Sequence, residues 1–162
     1  MEDNKEEDKK EDKKEIEVIF DGLKSEYIDG IFEVEKSCFE DYWSRESFVK
    51  ELTNSMANFV VALVAGKVVG YIGTWTILEE CNINNVAVHP DFRGLKIGDR
   101  LMSELICRCQ SDELTAITLE VRKSNSIAQN LYRKYGFKIS GIRKEYYSNN
   151  REDAIIMWKQ LK

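Results

Sequence analysis

The run Asn85-Val-Ala-Val-His-Pro-Asp-Phe-Arg-Gly-Leu-Lys-Ile-Gly98 constrains the fold more than any other part of the chain. Val86, Ala87 and Val88 read as the end of a buried strand, and Pro90, which has no N–H to give a ladder, stops it. Arg93 and Gly94 open a loop, and an amphipathic pattern begins at Leu95. The chain must therefore contain a strand–loop–helix unit with the helix N-terminus close to the strand's end. Such a terminus presents unpaired backbone N–H groups with the positive end of the helix dipole behind them. It suits a phosphate or diphosphate, and Arg93 can add a charged fork.

With 162 residues, 43% of them hydrophobic, the chain is long and apolar enough for one domain with a sizeable core. It has no apolar stretch long enough to cross a membrane and no secretory pattern at its N-terminus, so a soluble, cytoplasmic protein without a membrane partner is expected. Residues 1–15 differ from the rest: eight are acidic and five are lysine, a net charge of −3. Of the total of −5, the remainder, residues 16–162, therefore carries only −2. The first segment has nothing to bury and reads as a disordered, solubilising tail ahead of one domain. No long basic cluster marks the domain, which argues against a nucleic-acid partner.

Cys38, Cys81, Cys107 and Cys109 form no C-x-x-C pair, and His89 is the only histidine, so zinc spacing is absent and no metal is expected. Cys107 and Cys109 fall on different faces of one expected helix. His89 stands before Pro90 at a strand exit, a poor place for a Ser-His-Asp or Cys-His site.

Apolar periodicity lays out the rest. Ile16 to Phe20 alternates as a first strand. A helical pattern runs from Lys24 to Phe39, interrupted by Gly30, and Ser44 can cap a second helix to about Leu52. Phe59 to Val64 and Val68 to Ile77 are strands around a turn at Gly66-Lys67, and Cys81 to Val88 is a fourth. A helix from Leu95 to Cys109 buries Leu101, Met102, Leu105, Ile106 and Cys109. Ala116 to Val121 alternates as a fifth strand. Ser124 can cap a helix with Ala128, Leu131, Tyr132 and Tyr135 inside and Gly136 as its stop. Phe137 to Tyr146 and Ala154 to Lys159 complete the order β-α-α-β-β-β-α-β-α-β-β. This predicts an α+β fold, a mixed sheet flanked by helices.

Three motifs carry a family resemblance: Arg93-Gly-Leu-Lys-Ile-Gly98, Leu119-Glu-Val-Arg-Lys-Ser-Asn-Ser-Ile-Ala128 and Leu131-Tyr-Arg-Lys-Tyr-Gly-Phe137. Together, in order and on these elements, they resemble the GNAT superfamily of acyl-CoA-dependent N-acyltransferases, over everything from Ile16 onward. Within it, Leu119 to Asn125, Tyr146-Tyr147, Arg151-Glu-Asp-Ala154 and Tyr42-Trp43-Ser44 resemble the bacterial ribosomal-protein alanine N-acetyltransferases, the RimI type. The resemblance implies a central, mostly antiparallel sheet and acetyl-CoA as cofactor. It implies a protein N-terminal α-amine as acceptor, on a small-subunit ribosomal protein. A GNAT acting on a small amine, or a non-catalytic acyl-CoA-binding module, are the alternatives. Lys96 departs from the pattern, standing where the family has its first loop glycine; in an ordinary helical conformation it can still offer its N–H.

The resemblance also assigns roles. Backbone N–H groups of Gly94, Leu95, Lys96, Ile97, Gly98 and Asp99, with Arg93, would receive the diphosphate. The Val86-Ala87-Val88 backbone would pair with the pantetheine arm, and Asn125 would hydrogen-bond the cofactor. Glu120, on the face opposite Leu119 and Val121, is the candidate general base; as a structural residue it could pair with Arg122 instead. Tyr132 is the candidate acid for the departing thiolate, against a core aromatic role on the helix's inner face. Trp43, Tyr146 and Tyr147 would line the acceptor groove. An α-amine, with a pKa of about 7.7–8.0, is roughly one-tenth neutral at pH 7, far more than a lysine amine at about 10.4, so a carboxylate suffices as base.

Overall fold

A computed structural model describes residues 15–162. In chain order the elements are β1 (Ile19–Asp21), α1 (Ile28–Cys38), α2 (Arg45–Glu51), β2 (Ala57–Val64), β3 (Lys67–Ile77), β4 (Glu80–Val88), α3 (Ile97–Ser111), β5 (Ala116–Arg122), α4 (Ser126–Lys134), β6 (Lys138–Arg143) and β7 (Ala154–Gln160). Single 3-10 turns, Ser25–Tyr27 and Pro90–Phe92, precede α1 and follow β4. The strands make one sheet in the order β1-β2-β3-β4-β5-β7-β6. Only β4 and β5 are parallel, joined by the crossover through α3; every other pair is antiparallel. This is the mixed sheet that the element order predicts, mostly antiparallel as the family resemblance implies. Except for exposed Glu15, the charged tail expected at residues 1–15 lies outside the described residues.

The sheet is covered on both faces where β2, β3 and β4 cross it. In β2, Val60 and Ala62 face a core shared with α3, whereas Phe59, Val61 and Leu63 face one shared with α1 and α2. A strand buried on both faces reads as a continuous apolar run, as Phe59 to Val64 does. Helix α1 lays down Ile28, Ile31 and Val34, and Gly30 lets it come close: a Cβ there would stand 2.8 Å from Val68 Cβ. Helix α3 buries Ile97, Leu101, Met102, Leu105 and Cys109, with Ile106 only half-buried and Cys107 exposed. Ser44 caps α2 as expected, its Oγ accepting from the Ser47 N–H at 3.2 Å.

Several local expectations are corrected. β1 begins at Ile19 rather than Ile16. The β2–β3 turn is Ala65-Gly66, both with positive φ (49° and 77°), and Lys67 already belongs to β3; a hairpin turn of this hand needs φ > 0 at both central residues. Helix α3 starts at Ile97, not Leu95, and β6 ends at Arg143, short of Tyr146. Asn125, not Ser124, caps α4, its Oδ1 accepting from the Ala128 N–H at 3.1 Å. Gly136, at φ 87°, follows α4 as its stop.

Candidate active site

A split in the sheet creates the site. β4 and β5 pair from Glu80↔Ala116 to Ile83↔Leu119 and then part, although β4 runs on to Val88 and β5 to Arg122. The split coincides with a bulge in β4: against β3, Thr74 pairs with Ile83 but Gly73 pairs with Asn85, so Asn84 is the extra residue. One extra residue exchanges the faces of everything beyond it. Ile83 accordingly faces the α3 side and Ala87 the α1 side. Past the bulge, Val86, Ala87 and Val88 remain paired to Ile72, Tyr71 and Gly70 of β3. Their other edge is released from β5, and a strand edge of this kind accepts an extended ligand carrying amides of its own. At its end, the Val88 carbonyl accepts from Cys38 Sγ and from Arg93 Nε, each at 3.3 Å.

The loop beyond β4 leads straight to the start of α3. Gly94 (φ 79°) and Lys96 (φ 60°, ψ 25°) are both left-handed. Lys96 is therefore not in an ordinary helical conformation; it keeps the conformation that a glycine would favour. The first bond of the helix runs from the Arg100 N–H to the Lys96 carbonyl, so the N–H groups of Ile97, Gly98 and Asp99 face outward without helical partners. Asp99 does not oppose an incoming anion with a bare charge: Lys134 Nζ and Tyr135 Oη both donate to its carboxylate, which holds it below the usual carboxylate range. A hollow of about 940 Å³ adjoins the loop, with Lys96, Arg100 and Lys134 among its walls. The Arg93 guanidinium lies back against Val88 and Cys38 rather than forking in front of α3.

On β5, Ile117, Leu119 and Val121 enter the α3-side core and Glu120 points the other way. Helix α1 packs chiefly over β3 and β4, and the Glu120 side chain is 30% exposed. Its partner is Arg143 Nε of β6, at 3.1 Å, not Arg122. Arg122 instead bonds Glu152 at 3.2 Å and Asn149 at 2.9 Å and covers the Tyr147 ring at 3.9 Å. Tyr132 of α4 is buried against Phe137, ring centroids 5.7 Å apart. Burial first, then the Tyr147 hydroxyl, push its pKa up to about 12; burial likewise brings Tyr147 to about 12, with the charge of Glu120 adding to it. Geometry links Glu120 to the tyrosine pair: the Arg143 guanidinium that bonds it stands 5.9 Å from the Tyr146 ring, and that ring is 5.2 Å from the Tyr147 ring. No protein group among the described residues hydrogen-bonds the Tyr132 hydroxyl. No buried side-chain oxygen or nitrogen among them is left unpartnered, so this hydroxyl reaches accessible space.

Comparison with known proteins agrees with this geometry. Residues 28–137 match the model of the Acetyltransferase (GNAT) family. The chain belongs to the GNAT family. Over 137 residues it is 39% identical to a Bacillus subtilis protein assigned as ribosomal protein bS18-alanine N-acetyltransferase, covering 84% of this chain and 91% of that one. The ribosomal protein bS18-alanine N-acetyltransferase of Escherichia coli is 31% identical over 137 residues, 83% of this chain and 92% of that one. The crystal structure of the Escherichia coli ribosomal-protein-S18-alanine N-acetyltransferase superposes with a TM-score of 0.84 at 28% identity, covering 90% of this chain and 95% of that one.

The chain is thus a GNAT N-acetyltransferase with acetyl-CoA as its acyl donor. The residues present fit that group: the free β4 edge at Val86–Val88 offers a ladder for an amide-bearing arm, and the outward N–H groups of α3 offer an anion site. Asn125 sits at the start of α4 with its Oδ1 committed to the cap. Trp43 lies on the α1–α2 loop, its ring 5.5 Å from Phe48. Tyr146 and Tyr147 lie on the β6–β7 connection, 5.2 Å from each other. His89 caps the Pro90–Phe92 turn by accepting from the Asp91 N–H, a structural task. Among the described residues no cluster of His, Cys, Asp and Glu could hold a metal, and no helix is long and apolar enough to cross a membrane.

Sequence reasoning passed over four residues at this site. Arg143 aims Glu120. Glu152 accepts from the Ser124 N–H at 2.7 Å and from Arg122, fixing the β5–α4 turn. Buried Gln129 donates to the carbonyls of Arg122 and Lys123 at 3.0 and 2.9 Å. Glu35, on the buried stripe of α1, bonds to the loop of Trp43. A signal existed for Glu152, which lies in the Arg151-Glu-Asp-Ala154 motif, and for Glu35, an acidic residue at an apolar helical position.

Proposed function

We propose that this enzyme acetylates the N-terminal α-amine of a small-subunit ribosomal protein that begins with alanine, in the cytoplasm. The observation that carries the reading is the partly exposed Glu120 of β5, one residue past the last β4–β5 pair and held by Arg143 beside the Tyr146–Tyr147 pair. The acceptor rests further on the names of the Bacillus subtilis and Escherichia coli relatives, both of which this chain matches over most of its length.

When bound, acetyl-CoA supplies an activated acetyl thioester. Glu120, aimed by Arg143, takes the proton that the amine loses as it attacks, directly or through one water. Tyr132 stays protonated at neutral pH and donates to the departing sulfur. Trp43 on one loop, and Tyr146 and Tyr147 on another, form the walls of the acceptor groove, and the α3 N-terminus holds the diphosphate.

A panel of acceptors tests the assignment. With acetyl-CoA, peptides with a free N-terminal alanine should be acetylated at the α-amine, whereas N-terminally blocked lysine peptides and free polyamines should not. Labelling confined to lysine side chains would sink the α-amine reading, and tight acetyl-CoA binding without transfer to any acceptor would make the chain a binding module.

A further inference from the structure

Glu35 is the one acidic residue on the buried stripe of α1, beside Ile28, Ile31 and Val34, and it is only 1% exposed. An apolar residue would fill that place at less cost, because burying a carboxylate is unfavourable unless its oxygens are well partnered. Here both are partnered, and by neutral donors rather than a cation. Oε1 accepts from the Trp43 N–H at 3.1 Å and from Asn85 Nδ2 at 3.4 Å, and Oε2 accepts from the Tyr71 hydroxyl. Asn85 Nδ2 also reaches Tyr71 Oη at 3.4 Å, which closes the network.

The partners come from three parts of the fold. Asn85 follows the bulge and precedes Val86, the first residue of the released β4 edge, and Tyr71 pairs with Ala87 within that edge. Trp43 belongs to the irregular segment between α1 and α2, where Phe39 and Tyr42 are exposed. Among the described residues, Trp43 has the only backbone N–H of Glu40 to Trp43 with a hydrogen-bond partner, and that partner is Glu35. Glu35 also holds the base of the segment, its own carbonyl accepting from the Phe39 N–H at 3.1 Å.

We propose that Glu35 is a positioning residue for the acceptor, its buried carboxylate fastening the Trp43 loop to the β4 edge along which the acetyl donor lies. The proposal rests on the reading of Trp43 as a wall of the acceptor groove. One carboxylate thus joins the Trp43 loop to Asn85 of β4 and Tyr71 of β3, the strands at the released edge that would hold the donor. Shape alone does not suffice. Leucine would fill the site but would leave the Trp43 N–H, the Asn85 amide and the Tyr71 hydroxyl without an acceptor, whereas glutamine keeps Oε1 for Trp43 and Asn85.

The test compares Glu35→Leu with Glu35→Gln in the full chain, measuring acceptor-peptide KM, kcat and acetyl-CoA binding by calorimetry. Glu35→Leu should raise the acceptor KM roughly tenfold, as expected for a lost hydrogen bond to a charged group, with acetyl-CoA binding within about twofold of wild type. Glu35→Gln should restore the wild-type KM. An unchanged acceptor KM in Glu35→Leu, or a loss of acetyl-CoA affinity in step with it, would overturn the proposal. If Glu35→Leu does not fold, hydrogen exchange in the wild-type protein decides: the Trp43 amide should exchange slowly, and free exchange would refute the tether. If wild type acetylates no N-terminal peptide, the acceptor assignment fails, while Trp43 exchange still decides whether the tether exists.

Discussion

Lys96 at φ 60° carries a Cβ in a region where the left-handed conformation costs an L-residue about 1–2 kcal/mol. Replacing it with glycine should therefore stabilise the protein by about 1 kcal/mol in chemical denaturation; a loss of stability would show that its side chain contributes more than its backbone costs. Glu35 carries a strain of another kind, since burial raises its pKa more than Tyr71 and Trp43 lower it. A raised folded-state value means that its contribution is fully present below the ordinary carboxylate value and is lost as pH rises through the raised one. Glu35→Gln should remove that part of the pH dependence, leaving unfolding free energy flatter than wild type as pH rises just above the ordinary carboxylate value. The catalytic candidates are tested by kcat. Glu120→Gln and Tyr132→Phe should each lower it by about 10²-fold or more with acetyl-CoA binding intact, and normal turnover would withdraw the residue's role. Because Tyr132 sits at about 12, its ionisation should add no alkaline limb to the rate profile below about pH 10.

At the scale of elements, periodicity was enough to find every helix and strand in order, because each buries at least one stripe or face. Non-local events were not legible in this way. The Asn84 bulge depends on how β4 meets β3 and β5, and a strand read alone shows no register. Asn82, Asn84 and Asn85, poor strand formers in an otherwise apolar run, were the available signal. The helix caps shifted for a local reason: Ser124 and Asn125 are both competent, and the Glu152 carboxylate engages the Ser124 N–H, leaving Asn125 at the cap position. Gly30 reads as an interruption of α1 and is instead a point where the helix comes close to the sheet. Gly30→Ala, which would improve helix propensity on an exposed surface, should here destabilise the protein by about 1–3 kcal/mol in thermal or chemical unfolding, because Val68 occupies the space. A neutral or stabilising effect would mean that α1 can shift on the sheet.

For the whole molecule, the sheet does two things at once. Its antiparallel part, with α1 and α3 on opposite faces, is a conventional two-faced core, and its single parallel junction opens where β4 and β5 part. The sequence placed Glu120 opposite Leu119 and Val121 and placed Tyr132 on α4, but it could not bring Arg143 to Glu120, Glu152 to Arg122 or Glu35 to Tyr71 and Asn85, since those contacts join residues far apart in the chain. The central claim is transfer of acetyl from acetyl-CoA to one protein α-amine. Intact-mass analysis of small-subunit ribosomal proteins, incubated with this enzyme and acetyl-CoA, tests it most directly. The account predicts that one protein beginning with alanine gains the mass of a single acetyl group, located by fragmentation at its N-terminal amine and absent when Glu120→Gln replaces the wild type over the same time. Acetylation spread over lysine side chains, or no mass change in any of these proteins while acetyl-CoA is bound, would contradict it.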